Sequence, residues 1–273
     1  MNLFFLGVFG LCVGSFLNVI LYRMPKNESI VKPRSACPSC KTKLSFIELI
    51  PVISWLIQLG KCRHCKAKIS ITYPSIEIIT SVLFIMAIFS KPTIQIIDNQ
   101  LILIIAGCML YSIIIILTIF DIKFFWLPDT LTFLGISIGI FINILPSIIY
   151  LDYNKLITPL SYLFYSISAY FIIAFVAFLL KKILNKPAMG LGDAKLSAMV
   201  SSWLGLEGLE LVLMLTILTS GLYSTLGLLL GVYKRGSVIP LGSFICLSFG
   251  AVWFLGNNFF LDILDRFLWW RYL

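Results

Sequence analysis

The sequence predicts an all-α polytopic membrane protein of about eight transmembrane helices, with a small polar cytoplasmic loop domain between helices 1 and 2. Three observations carry this. Hydrophobic residues make up 60% of the 273 residues and charged residues only 12%, and the mean hydropathy is +1.02. A soluble domain of this length needs far less apolar surface, whereas a bundle of spanning helices must present it to lipid. The apolar segments are continuous rather than alternating, which excludes a β-barrel. The basic residues are also segregated. Ten Lys/Arg lie between Arg23 and Lys68, and Lys123, Lys181, Lys182, Lys186, Lys195, Lys234 and Arg235 fall on the same side once spans are drawn. Lys91, Lys155, Arg266 and Arg271 fall on the other side, and this bias of 17 to 4 marks the first side as cytoplasmic. Topology therefore accounts for the net charge of +9, and no nucleic-acid partner is implied.

Residues 1–22 form the first span, from Leu3 to Tyr22. The stretch lacks a basic n-region and a small-x-small cleavage site, so it reads as a retained helix with its N-terminus outside rather than a signal peptide. Gly14 and Ser15 suit close helix packing, and Asn18 is a polar group near the cytoplasmic end.

Residues 23–73 form the cytoplasmic loop. It carries Cys37-Pro38-Ser39-Cys40 and, after a 21-residue gap, Cys62-Arg63-His64-Cys65. Two such pairs supply four thiolates, enough to close a tetrahedral Zn²⁺ site, and a reducing compartment favours metal over disulfides. Lys41, Lys43, Lys61, Lys66 and Lys68 offset the charge of such a centre. His64, the only histidine, sits between two ligands and reads as a bystander. Cys12, Cys108 and Cys246 lie singly in apolar spans and read as small core residues. The insert Leu49 to Leu56 is apolar but too short to span, and is expected to pack on the metal knuckles or dip into the interface.

Residues 74–256 form the membrane core. Span two runs from Pro74 to Ser90, with Glu77 at headgroup level, where a pairing with Lys or Arg competes with a substrate-contact role. Span three, Leu101 to Phe120, runs directly into Asp121, and a short cytoplasmic turn containing Lys123 and Pro128 follows. Asp129 is expected to cap span four, Leu131 to Tyr150, in which Pro146 lies near the outer end. An external loop, Leu151 to Lys155, precedes span five, Ile157 to Leu180. A basic turn then leads into Met189-Gly190-Leu191-Gly192-Asp193-Ala194-Lys195-Leu196. The glycines offer close approach to Asp193 and φ values closed to other residues. The apolar segment from Ala194 to Leu206, broken by Gly205 and Gly208, is short for a span and fits a tilted or re-entrant helix. Span seven is Leu209 to Tyr233, and span eight is Val238 to Phe254. Residues 257–273 form an amphipathic interfacial tail with Trp269 and Trp270.

On this topology Asp121 ends one span and Asp193 begins another at the same face, 72 residues later. Ionisable groups at membrane depth are costly and mark function. Two carboxylates at one depth can share a proton, one acting as general base on water and the other as general acid. That is peptide hydrolysis without a covalent intermediate. Rival chemistries lack their parts: with one histidine there is no Ser–His or Cys–His couple and no His-Glu-x-x-His site, and four thiolates leave zinc no open position. Lys195 is expected to be held protonated by the neighbouring Asp193.

These residues together resemble the type IV prepilin peptidases (type IV leader peptidases). The resemblance runs through Gly14-Ser15-Phe16-Leu17-Asn18-Val19 with Arg23 and Pro25, both cysteine pairs, Leu49 to Trp55, and Tyr73-Pro74-Ser75-Ile76-Glu77. It continues through Asp121 to Asp129 and Gly190-Leu191-Gly192-Asp193-Ala194-Lys195. It implies that Asp121 and Asp193 are catalytic, supported by Gly190, Gly192, Lys195, Lys123, Pro128 and Asp129. It implies prepilin or pseudopilin substrates with a short basic leader, partners in pilus or type II secretion machinery, and residence in the bacterial cytoplasmic membrane with the active site facing the cytoplasm. It also implies S-adenosylmethionine-dependent methylation of the new N-terminus, the four-cysteine loop accompanying the bifunctional form. Glu77, Asn18 and Asp129 are candidate substrate contacts. Ser243, where the family usually has proline, is a departure expected to matter little. An intramembrane aspartyl protease of another lineage, and a non-enzymatic secretion or transport component, are the competing readings.

Overall fold

The computed structural model describes residues 2–92, 100–149, 157–185, 189–234 and 237–268. Nine α-helices are present among them: α1 (Leu3–Arg23), α2 (Ile53–Ile57), α3 (Thr72–Met86), α4 (Gln100–Phe124), α5 (Asp129–Ile149), α6 (Ile157–Leu184), α7 (Leu191–Leu229), α8 (Leu241–Leu255) and α9 (Asn257–Leu268). The described residues contain no extended strand, only two isolated bridges, Ala36–Lys43 and Lys61–Lys68. Five helical stretches are long and apolar enough to cross a membrane, and the bent pair α8–α9 makes a sixth. The apolar part of α5, Asp129–Leu145, is shorter. α7 contains a break at Gly205, whose φ of 72° and ψ of −168° interrupt the helix. That break falls where the sequence reading divides two apolar segments. The chain is a multi-pass, all-α membrane protein, and it resolves into two compact units.

The first unit comprises Met1–Phe89 with Gly107–Ile116. Its framework is α1 against α3. Gly7, Gly10 and Gly14 recur on one face of α1, and a Cβ on Gly10 or Gly14 would lie 2.7 Å from the Cα of Ser81 or Glu77. Bare glycine faces let the two backbones approach, which is how apolar helices associate where lipid removes the hydrophobic drive. Ser81 Oγ donates to the Gly7 carbonyl at 2.8 Å, and Asn18 Nδ2 donates to the Tyr73 carbonyl at 3.0 Å. The opposite side of α1 exposes Phe5, Phe9 and Phe16. Cys12 is exposed as well, which corrects the expectation of a core residue: lipid is as apolar as the core, so a small thiol is stable on either side. Cys108 and Cys246 are buried as expected.

The second unit comprises Ser90–Ala106 and Leu117–Leu273. Its centre is the first half of α7, where every residue from Asp193 to Gly205 except Lys195 is buried. Three helices close on it. From α5, Gly135 leaves room for Met199, the Trp203 indole donates to the Gly135 carbonyl at 2.8 Å, and Asn143 Nδ2 donates to the Ser202 carbonyl at 3.0 Å. From α6, Ser166 Oγ donates to the Ala198 carbonyl at 2.9 Å. From α8, Phe249 and Trp253 pack edge-on against Trp203, at 6.3 and 5.4 Å between ring centroids. Leu160, Phe164, Ile167, Phe171, Phe175 and Phe178 form an exposed stripe along α6 suited to lipid.

Two boundaries differ from the sequence reading. α4 does not stop at Phe120 but continues through Asp121 to Phe124, because Ile122, Lys123 and Phe124 have no reason to leave the helix. It ends where Phe125 takes a φ of 50°, three residues before Pro128. α5 starts at Asp129, and the Leu131 and Thr132 amides bond to the Pro128 carbonyl, so Pro128 rather than Asp129 stands at the cap. The loop Leu151–Lys155 and the residues Lys186, Arg235, Trp269, Trp270 and Arg271 lie outside the described residues. Within them the tail forms α9, amphipathic as expected and turned by 95° from α8 at Gly256.

Candidate active site and metal centre

The candidate active site lies in the second unit. Asp193 occupies the third position of α7, and its Oδ2 accepts the Gly190 backbone N–H at 3.1 Å. A carboxylate in the first helical turn is favoured by the helix dipole and satisfies a donor with no intrahelical partner. Asp121 sits near the C-terminus of α4, where its own dipole disfavours an anion. A second helix compensates: the Ser243 backbone N–H, in the first turn of α8, donates to Asp121 Oδ2 at 2.6 Å. Gly242 makes this approach possible, since a Cβ there would lie 3.0 Å from the Asp121 carboxyl carbon. Both carboxylates are buried, and they are close enough that the charge of Asp121 acts on Asp193. Cys246, on the same face of α8, lies within electrostatic reach of both.

The supporting residues are arranged differently from expectation. Lys195 Nζ pairs with Asp129 Oδ1 at 2.5 Å, not with Asp193, because successive positions two apart on a helix do not face each other. Neither Gly190 nor Gly192 has a positive φ, so these glycines serve space rather than backbone freedom. A Cβ on Gly192 would meet Leu127 Cδ1 at 3.2 Å, whereas Gly190 has only Gly192 and Asp193 nearby. Lys123 stands in the last turn of α4, where a cation suits the dipole. That Gly242 and the Ser243 backbone lie against Asp121 is not legible in the sequence. Ser243 carries a backbone N–H that proline would lack, and this N–H is the one bonded to Asp121. The signal available was the helix start after Pro240, which leaves the amide three residues on without an intrahelical partner.

Of the substrate-contact candidates, Asn18 and Glu77 belong to the first unit and Asp129 to the second. Glu77 Oε2 accepts the Val52 backbone N–H at 2.7 Å, a bond to the loop backbone.

The first unit also holds the candidate metal centre. The thiol sulfurs of Cys37, Cys40, Cys62 and Cys65 all lie within 4.8 Å of one another. Tetrahedral zinc with Zn–S bonds of about 2.3 Å places its sulfurs about 3.8 Å apart, and Cys37 and Cys65 Sγ are 3.9 Å apart. The residues therefore fit the ion. Each pair is presented by the same turn. The Cys37 amide bonds to the Thr42 carbonyl and the Lys41 amide to the Cys37 carbonyl; the Cys62 and Lys66 amides repeat this with Ala67 and Cys62. Lys41 and Lys66 both take a φ of 59° to turn the chain. The Thr42 hydroxyl lies 3.2 Å from Cys40 Sγ. His64 is not a ligand; its Nε2 lies 3.8 Å from Glu48 Oε1. The insert between the pairs is tied down at Trp55, whose indole N–H reaches the Ile69 carbonyl at 3.2 Å, while Ile50, Ile53 and Leu56 stay exposed.

Residues 8–91 match the family described as Bacterial Peptidase A24 N-terminal domain, and residues 108–232 match the Type IV leader peptidase family. The chain is similar to the prepilin leader peptidase/N-methyltransferase of Pectobacterium carotovorum subsp. carotovorum, at 30% identity covering 93% of each chain. It is 31% identical to the protein of that name from Legionella pneumophila, covering 92% of this chain and 91% of the other. With that of Aeromonas salmonicida (strain A449) it shares 28% identity over 88% and 86% of the two. No solved structure matches the chain.

Proposed function

The chain belongs to the type IV leader peptidase family, and on that premise we propose that it cleaves the leader from type IV prepilins or pseudopilins with Asp121 and Asp193 as its catalytic pair. The observation that carries this is the arrangement of the two carboxylates: both are buried in one compact unit, each is held by a backbone N–H, and the charge of Asp121 acts on Asp193. Like charges in such surroundings ionise one at a time. The anionic carboxylate takes a proton from water as its oxygen attacks the scissile carbonyl, and the protonated one donates to the carbonyl oxygen. The tetrahedral intermediate then collapses with proton transfer to the leaving amine.

The charge bias supports a pair facing the cytoplasm from the bacterial inner membrane, where a basic leader stays in water and the helix after it stays in lipid. Pilus or type II secretion machinery would receive the product. Glu77, Asn18 and Asp129 are the candidate contacts for the substrate. The cysteine cluster supports a structural Zn²⁺, since four thiolates leave no position for a substrate.

The similarity to prepilin leader peptidase/N-methyltransferases supports a second activity, methylation of the new N-terminus with S-adenosylmethionine. When bound, that donor supplies a methyl group to the amine lone pair while the C–S electron pair stays on sulfur and the amine proton passes to solvent.

Mass spectrometry of a pilin N-terminus, with and without the protein, tests both activities together. Asp121→Asn and Asp193→Asn should each abolish cleavage while the protein stays folded. Cleavage at the wild-type rate by either variant overturns the pair.

A further inference from the structure

The first unit contains a cavity of about 380 Å³, lined by the cytoplasmic end of α1, the start of α3 and the four-cysteine loop. This lies in the size range of small-molecule sites. Its walls combine three aromatic side chains, Tyr22, Trp55 and Tyr73, with two carboxylates, Glu48 and Glu77. The carboxylates are notable because the surrounding loop carries ten Lys/Arg. Of the basic residues lining the cavity, Arg23 is committed to the Ser29 and Pro33 carbonyls at 2.9 and 2.7 Å, and Lys68 is exposed.

The acidic side is built with care. Val52 takes a φ of 61°, which a β-branched residue rarely adopts, and in that conformation it delivers its N–H to Glu77 Oε2. Strain of this kind gathers at functional sites. Glu48 Oε2 accepts both the backbone N–H and the hydroxyl of Ser45 at 2.8 Å, while its buried Oε1 makes no hydrogen bond and has His64 Nε2 at 3.8 Å. Trp55 is fixed by its bond to Ile69 and by Gly60, where a Cβ would lie 2.9 Å from the indole ring. A flat, cationic ligand suits this lining: aromatic faces attract cations and stack on rings, and buried carboxylates satisfy positive charge.

We propose that this cavity is the methyl-donor site, with the positive centres of S-adenosylmethionine matched by Glu77 and Glu48 and its purine by the aromatic wall. The proposal rests on the reading of the chain as a methyltransferase as well as a peptidase. It gives the cysteine loop a specific task, because closure of the metal knuckles would then shape one wall of the donor site.

The test uses the full chain in detergent with zinc bound. Equilibrium dialysis against tritiated S-adenosylmethionine gives the Kd, and zinc content with size-exclusion elution checks each variant's fold. Glu77→Gln should weaken binding at least tenfold, and Ser54→Tyr, which fills the cavity, should abolish it. Wild-type affinity in both folded variants overturns the proposal. Photolabelling of the wild-type protein with the same donor, followed by peptide mapping, decides the matter without any variant. Label within residues 18–77 supports the site, and label confined to residues beyond 116 overturns it. If the wild-type protein binds no donor and pilin stays unmethylated, the methyltransferase reading itself falls, and this site with it. Binding without dependence on the cavity removes only the location.

Discussion

The backbone N–H of Ser243 donates to Oδ2 of Asp121 at 2.6 Å, joining the first turn of α8 to a carboxylate 122 residues earlier. Such a bond gives an anion at the end of α4 the partner that its own helix cannot supply. Ser243→Pro should remove the donor and leave α8 intact, since proline is tolerated in a first helical turn. A net hydrogen bond is worth about 1 kcal/mol, so prepilin cleavage should fall roughly fivefold in kcat/KM. Ser243→Ala keeps the N–H and should cleave as the wild type does. Equal rates for the two variants would remove Ser243 from the site.

Gly192 faces Leu127 across the start of α7. Gly192→Ala should be tolerated, because the atom 3.2 Å away is the flexible end of a leucine. Gly192→Val adds two branches in the same space, and overpacking of this kind costs about 1–3 kcal/mol. The strain falls one residue before Asp193, so cleavage should be lost while the helical content by circular dichroism is kept. A valine variant that processes prepilin normally would return Gly192 to a plain helix-start residue.

Much of this arrangement is legible in the sequence. Apolar runs mark the spans, paired cysteines mark the four-thiol cluster, and two acidic residues at helix ends mark the candidate pair. What stayed hidden has a common physical cause. The partners of Asp121 and Glu77 are backbone amides of Ser243 and Val52, and a backbone amide carries no side-chain signature. The outward position of Cys12 was equally invisible, because lipid and core are both apolar. The extension of α4 past Asp121 was missed because hydropathy follows lipid exposure rather than helical conformation. Lys195 has Asp193 as its nearest acid in sequence, whereas its partner, Asp129, is 66 residues away.

That ion pair is itself testable. Asp129 is largely exposed, with 58% of its side chain accessible, so the pair should contribute little stability, under about 1 kcal/mol. Lys195→Met and Asp129→Asn should therefore leave thermal unfolding nearly unchanged. If the pair positions the start of α7, each variant should lower prepilin cleavage, and the double variant should lose no more than either alone. Additive losses in the cycle would mean that the two residues act separately.

The metal centre makes the last prediction. The four thiols should resist alkylation in the zinc-loaded protein and react together after chelation, with one zinc lost per chain. Cys40→Ser should release the metal at a pH where the wild type keeps it. Glu48 adds a second pH dependence to the same loop. The Ser45 backbone N–H, then its hydroxyl, hold this carboxylate below its usual value. A depressed carboxylate stabilises the folded loop above its unfolded pKa, and that contribution disappears as the pH falls through the folded one. Glu48→Gln lacks the titrating group, so the pH dependence of loop unfolding below about 4.5 should flatten in the variant, as read by Trp55 fluorescence with the other tryptophans replaced. An unchanged acid limb would mean that the thiolates alone set the loop's sensitivity to pH.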